Sequence, residues 1–322
     1  MRFLIALLVV TGLSPIAGAQ TTRPAADRHK VGVSVTNLDH DRYAGIFWWT
    51  KKAIAAHPEI DCDYQVSGNP VEQVRQIDAM VAGGAEAIVL LPCQSDDADL
   101  GDCLKKARSR GVLVIGIGPG LDPQWFDVRL DIDARASGRK SAEFVVKKLG
   151  GKGDIVTFPG LSYPEHDDRN DAAAAVFKEN PGIRILASDT SSTDGRKAGQ
   201  EMMQQMLQKF PHIDAVWAPD DDIALGVIDA IKAAHRDREM WVFGGNGKKE
   251  FVKLVMNGAA LAAGDVTYPA DIMGTGVHLA ASSVRDGKLK DVEPFLPSHL
   301  TLDVDVITRQ NAKQFYFPDA AY

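Results

Sequence analysis

The stretch Ile213-Asp214-Ala215-Val216-Trp217-Ala218-Pro219-Asp220-Asp221-Asp222-Ile223-Ala224-Leu225-Gly226 decides how this chain folds. The apolar run from Ile213 to Ala218 reads as a buried strand, and Ile223 to Gly226 as the opening of a helix. Three carboxylates stand between them. Carboxylates suit a helix N-terminus, where they accept from unpaired backbone N–H groups and complement the macrodipole. The same place, past the carboxyl end of a strand, is where open α/β sheets bind ligands. Asp220, nearest the strand end, is therefore both a cap and a candidate ligand contact. Asp221 and Asp222 read as an acidic first turn.

The same alternation extends in both directions. Short Val/Ile/Leu-rich runs, as expected of strands covered on both faces, fall at Val31 to Val35, Asp63 to Val66, Ala87 to Leu91, Val112 to Ile117 and Val128 to Leu130. Helical stretches separate them at Tyr43 to His57, Val71 to Val81 and Leu100 to Arg110. The pattern then restarts. Helices at Ala134 to Leu149, Asn170 to Asn180, Gly195 to Phe210, Ile223 to His235 and Lys248 to Asn257 alternate with strands at Asp154 to Phe158, Ile183 to Ala187, Ile213 to Ala218 and Met240 to Gly244. The tail returns through a strand at Ala259 to Thr267, a helix at Asp271 to Arg285 and a strand at Leu300 to Val306, with Thr308 capping a short helix. A repeated βαβ series implies parallel sheets with right-handed crossovers. The expected fold is α/β, with two doubly wound parallel-sheet lobes joined by a multi-crossing hinge. The expected division is 30–131 plus 268–298 for the first lobe and 132–267 plus 299–322 for the second.

The chain has 322 residues, enough for about two domains at ~150 residues each. A net charge of −7 leaves no electrostatic footprint for nucleic acid or an anionic membrane. Arg2, the apolar run Phe3 to Val10 and the small-residue site Ala17-Gly18-Ala19 read as a cleavable secretion signal over 1–19, with the mature chain starting at Gln20. Residues 20–29 read as a flexible leader. The mature protein is expected to be exported and soluble, in the periplasm. Of three cysteines, Cys93 and Cys103 flank one loop and are the candidate disulfide; three half-buried thiols are the equal alternative. No Cys/His spacing suggests zinc, and neither metal nor cofactor is expected.

Several segments, in order and spacing, carry a family resemblance. Val33-Ser34-Val35-Thr36 precedes a helix containing Phe47-Trp48. Ala87-Ile88-Val89-Leu90-Leu91-Pro92 looks like an "ilinP" strand. Ala215 to Gly226 resembles an "avfaqNDemAlG" signature, Val242-Phe243-Gly244-Gly245-Asn246-Gly247 a "vvGfDg" turn, and Val304-Asp305-Val306-Ile307-Thr308 a closing strand and cap. From Val31 to Phe315 the chain resembles the periplasmic sugar-binding proteins of ABC importers, of the ribose-binding type (periplasmic binding protein type I). The resemblance implies a monomeric, non-catalytic protein. It implies capture of a sugar or polyol in an interlobe cleft, cleft closure about a hinge, and delivery to an ABC permease in the inner membrane.

The resemblance also implies site residues. Asp220 stands at the family's Asn or Asp, and Asn246 at its ligand-binding Asp. Arg169, in Asp168-Arg169-Asn170, stands at the Arg that grips ring or hydroxyl oxygens, and Thr267 at a Gln ending a crossing strand. Asp39, Tyr43, Phe47 and Trp48 are candidates for the first-loop contacts, the aromatics as plates for the apolar sugar face. Surface pairing with Asp167 or Asp168 is the alternative for Arg169, and a Gly-Asn-Gly turn the alternative for Asn246. One departure stands out: where the family has Asp-Arg after the fourth strand, this chain has Gly118-Pro119-Gly120. The ligand is then a different sugar, a polyol or a related polar solute.

Two rival functions remain on the sequence. A sensory protein presenting its solute to a membrane receptor would look the same. An α/β hydrolase would use Ser162 in Gly160-Leu161-Ser162-Tyr163-Pro164, but Pro replaces the last elbow Gly, and the helix is expected several residues later than an elbow allows. A repressor sharing the fold would carry a basic helix-turn-helix where this chain has its signal segment.

Overall fold

Two six-stranded sheets with the same strand order organise the protein. The computed structural model describes residues 28–36, 41–93, 97–160, 162, 164–190, 195–258, 262–266, 269–285 and 297–320. The expected signal segment, Asp39 and Thr267 lie outside the described residues, as does the Tyr43 side chain. The strands are β1 (His29–Thr36), β2 (Ile60–Ser67), β3 (Ala87–Leu91), β4 (Leu113–Ile117), β5 (Val128–Ile132), β6 (Gly153–Thr157), β7 (Ile183–Ser188), β8 (Ala215–Trp217), β9 (Trp241–Gly244), β10 (Ala262–Val266), β11 (His299–Leu302) and β12 (Asp305–Ile307). The helices are α1 (Asp41–Ala55), α2 (Pro70–Ala82), α3 (Ala98–Ser109), α4 (Ala134–Lys148), α5 (Pro164–Glu179), α6 (Arg196–Lys209), α7 (Asp221–Ala233), α8 (Lys249–Met256) and α9 (Pro269–Arg285), and a 3-10 turn spans Ala312–Phe315.

The first sheet runs β11-β5-β4-β3-β1-β2 and the second β12-β10-β9-β8-β6-β7. Pairing is parallel throughout the first sheet. In the second, only β12 runs antiparallel, against β10. In each sheet the first strand lies between the second and third. The chain reverses its winding direction there, and the loops at the carboxyl ends of β1 and β3, and of β6 and β8, diverge to leave a crevice.

Both faces of each sheet are covered, which is why the strands read as continuous apolar runs. In the first sheet, Val31, Val33, Val89 and Ile115 pack towards α1 and α9, while Ile88, Leu90 and Val114 face Leu100 and Leu104 of α3. In the second, Val156, Val216 and Val242 meet α6, α7 and α8, while Ile155, Ala215 and Trp217 face α4 and α5. Trp217 also donates its indole N–H to Ser141 Oγ at 3.0 Å, so the polar edge of this core ring is satisfied.

Several sequence expectations change, and the choice left open for the cysteines is resolved. α5 starts at Pro164 rather than Asn170, because proline's fixed φ and missing N–H suit a first helical position. The single closing strand expected over Leu300 to Val306 is two strands in different sheets. Residues 299–302, expected in the second lobe, pair with β5, and Asp303-Val304 carries the chain across to β12 beside β10. β1 begins at His29, inside the expected leader, and β5 extends to Ile132. Cys62, Cys93 and Cys103 are all free thiols. The Cys93 thiol lies 3.7 Å from Ser67 O and the Cys103 thiol 3.8 Å from Val74 O, each directed at a different backbone carbonyl.

Candidate functional site

Residues following β6, β8 and β9 form one hydrogen-bonded chain. Asp220 sits in extended backbone as the N-cap of α7, and its Oδ1 accepts from the N–H groups of Asp222 at 3.0 Å and Ile223 at 3.1 Å. Its Oδ2 accepts from Asn246 Nδ2 at 3.0 Å. Asn246 Oδ1 in turn accepts from Arg169 Nη1 at 3.4 Å. The cap and ligand-contact readings of Asp220 do not exclude each other, because one oxygen caps while the other faces the neighbouring loop. An amide suits the middle position, since it donates to a carboxylate and accepts from a guanidinium at once.

Local geometry fixes each member. Asn246 has φ +82° between two glycines, a conformation asparagine tolerates better than most residues. The loop beyond it is held by the two carboxylates that the sequence assigned only to an acidic first turn. Asp221, fully buried, accepts from the backbone N–H of Lys248 at 2.5 Å, and Asp222 accepts from Lys248 Nζ at 2.5 Å. Neither partner is adjacent in sequence, which is why the acidic triplet alone did not disclose this role.

Arg169, on α5, is 3% exposed. The surface pairings open to it on sequence are taken by others: Asp168 binds Arg135 at 2.7 Å and Asp167 accepts from the Ser162 hydroxyl at 2.9 Å. α5 lies close to α4 at this point. A Cβ on Gly138 would fall 1.9 Å from the Arg169 carbonyl oxygen, so only glycine permits the approach. Arg169 Nε and Nη2 are sealed from solvent with no acceptor among the described residues. Leaving such donors unpaired costs roughly 1–3 kcal/mol, more when charged.

At the first sheet, the organising side chain is one the sequence reading passed over. Gln73 of α2 is fully buried; its Nε2 donates to Leu91 O at 3.0 Å and Ser34 Oγ at 3.2 Å, and its Oε1 accepts from Cys93 N at 2.8 Å. It ties the end of β3 to β1. A polar residue on the buried stripe with Ile77 and Met80 was the available signal. Thr36, at the end of β1, has a sealed hydroxyl without a partner among the described residues. Gly118 stands past β4 at φ +114°, its N–H bonded to Leu130 O at 2.9 Å.

The structure joins Arg169, Asp220 and Asn246. Phe47 packs on the first-lobe core, and the Trp48 ring lies against Trp49 and Phe317. Ser162 is exposed; β6 ends at Thr157 and α5 begins at Pro164. Among the described residues, no group of three or more His, Cys, Asp or Glu could hold a metal, and no helix is long and apolar enough to cross a membrane.

Comparison with known proteins places this geometry in a family. Residues 31–288 match the periplasmic binding protein domain. A xylitol-binding protein of Mycolicibacterium smegmatis is 28% identical over 221 residues, covering 68% of this chain and 62% of that protein. The chain thus spans less than two thirds of that relative's length. A periplasmic ribose ABC transporter protein of Conexibacter woesei superposes with TM-score 0.74 at 22% identity, covering 90% of this chain and 95% of that one. An ABC transporter solute-binding protein of Actinobacillus succinogenes with bound D-allose gives TM-score 0.72 at 19% identity, covering 89% and 100%. With the sheets wound in the same order and the match running from β1 to beyond α9, the chain belongs to the periplasmic binding protein domain family and has its type I fold.

Proposed function

We propose that this protein is an exported, non-catalytic carrier that captures a sugar or polyol between its lobes and delivers it to an ABC permease. The observation that carries the reading is Arg169: a buried guanidinium with Nε and Nη2 unpaired among the described residues, anchored through Asn246 to Asp220. Sugar hydroxyls are dense in oxygen, and charge-assisted hydrogen bonds to them are strong enough to offset their desolvation. The relatives named for xylitol, ribose and allose support the ligand class. With Gly118-Pro119 in place of a charged pair, the grip comes mainly from the second lobe. Asp220, Asn246 and Arg169 are the proposed ligand contacts, and Thr267, Asp39, Tyr43, Phe47 and Trp48 the candidates for completing the site. The proposed working unit is a monomer whose lobes close over the solute.

A thermal-shift screen of pentoses, hexoses, xylitol and inositol tests this. A ligand at a hundred times its Kd stabilises the folded state by about 2.7 kcal/mol. At least one member should raise Tm in proportion to the logarithm of its concentration. A flat response across the panel contradicts the reading. Reconstitution with the cognate permease then separates delivery from sensing.

A further inference from the structure

Residues after β12 also bridge the two lobes. After β12, Ala312, Phe315 and Tyr316 pack against the core of the second sheet. The next residue leaves it. The Phe317 ring meets Trp49 edge-on, with centroids 4.7 Å apart at 83°, and lies 6.3 Å from Trp48. Both tryptophans are on α1, which belongs to the first lobe through Ile46, Ala53 and Phe47. The following carbonyls return to the second lobe: Lys249 Nζ donates to Pro318 O at 3.3 Å and to Ala320 O at 2.5 Å, and Ala320 is buried. Lys249 opens α8, three residues after Asn246.

We propose that residues 317–320 form an interlobe strap, with Phe317 docked on Trp48 and Trp49 and the carbonyls of Pro318 and Ala320 gripped by Lys249, which holds the lobes at the separation seen here. Edge-to-face aromatic pairs are attractive beyond the area they bury. The contact is not covalent and lies between elements of different lobes. Any rotation that separates α1 from α8 must either break the ring cluster or strip the tail from Lys249. A contact made in only one of two arrangements shifts the population towards it. A ligand that needs the same arrangement then binds more tightly, because less of its binding free energy goes into closure. Trp48, proposed above as a candidate for completing the ligand site, also forms part of the strap's seat.

The strap rests on the two-lobe reading above, so its test reads the ligand-free protein first. Small-angle X-ray scattering compares wild type with Phe317→Ala, Phe317→Tyr and Lys249→Met, each checked for cooperative unfolding. The expected result is a larger radius of gyration in Phe317→Ala and Lys249→Met, and a wild-type value in Phe317→Tyr. Ligand affinity in the two loosened variants should fall about tenfold, equivalent to about 1.4 kcal/mol. If Phe317→Ala does not fold, Lys249→Met carries the test, since it leaves the ring cluster in place. Scattering curves of the loosened variants that superimpose on wild type overturn the proposal. Absence of any sugar binding in wild type would instead count against the function and leave the scattering comparison standing.

Discussion

Asn246 Nδ2 donates to Asp220 Oδ2 at 3.0 Å, while the other oxygen of the same carboxylate caps α7. One side chain thereby fixes both a helix start and the orientation of the amide that holds Arg169. The two functions separate by substitution. Asp220→Asn keeps a side-chain oxygen for the cap, since Asn and Asp are nearly equivalent at that position, but it removes the charge and turns an amide N–H towards Asn246 Nδ2, which itself donates. Stability should fall by about 1–3 kcal/mol through the lost acceptor for Asn246, with the cap kept, and ligand affinity should fall with it. Asp220→Ala should lose about 1–2 kcal/mol of stability as well. Urea unfolding alongside ligand titration checks both, and equal binding by Asp220→Asn and wild type would return Asp220 to the role of a cap.

Arg169 is expected to be costly to the empty protein. Its Nε and Nη2 are buried without acceptors among the described residues. Burying donors without partners costs roughly 1–3 kcal/mol, more when charged, and an apolar side chain of similar length removes that cost. Arg169→Met should therefore unfold, without ligand, at a denaturant midpoint equal to or above that of wild type. A midpoint well below wild type would mean that Arg169 serves stability rather than binding.

Gly138→Ala tests whether helix packing sets the site. Its new Cβ would fall 1.9 Å from the Arg169 carbonyl oxygen, so α5 must move away from α4. Overpacking of this kind costs roughly 1–3 kcal/mol. Ligand affinity should fall together with Tm, although Gly138 need not touch ligand. Unchanged affinity in a folded Gly138→Ala protein would show that Arg169 tolerates the shift.

The crossing from β11 to β12 carries a charge clamp. Lys140 Nζ sits 2.6 Å from the Asp303 carboxylate and donates to Val304 O at 2.8 Å. The Lys140 hydrogen bond, with that from Val304 N–H, holds the Asp303 carboxyl below the usual carboxylate range. A lowered folded pKa stabilises above the unfolded value of about 4, and that stabilisation is lost as pH falls through the folded value. Asp303 is largely exposed, so the effect is at most about 1 kcal/mol. Asp303→Asn should be slightly less stable than wild type at pH 7 in low salt and equal to it once Asp303 is protonated in acid. A deficit that persists in acid would assign the loss to packing at the crossing.

Much of the fold was legible because its strands are covered on both faces and so read as apolar runs. β3, Ala87–Leu91, begins and ends where its run does. What failed was local. Pro164 looked like a break and is the first residue of α5. Asp303 lies inside an alternating run and marks the passage between sheets. Arg169, Asp220 and Asn246 were singled out because each follows a strand and matches a position of the family pattern, and the structure joins them by hydrogen bonds. The roles of Asp221, Asp222 and Gln73 depend on partners 20 or more residues away in most of their bonds, and no local pattern encodes those. The contact of Trp48 with Phe317 was hidden for the same reason, since the two lie far apart in sequence.

The central claim is that Arg169, held by Asn246 and Asp220, grips a sugar or polyol. Titration calorimetry of wild type and Arg169→Met, with whichever panel member shifts Tm most, tests it most directly. Wild type should give saturable one-to-one binding, and Arg169→Met an affinity lower by at least about a hundredfold, or about 2.7 kcal/mol. Equal affinity in the two proteins would contradict the account.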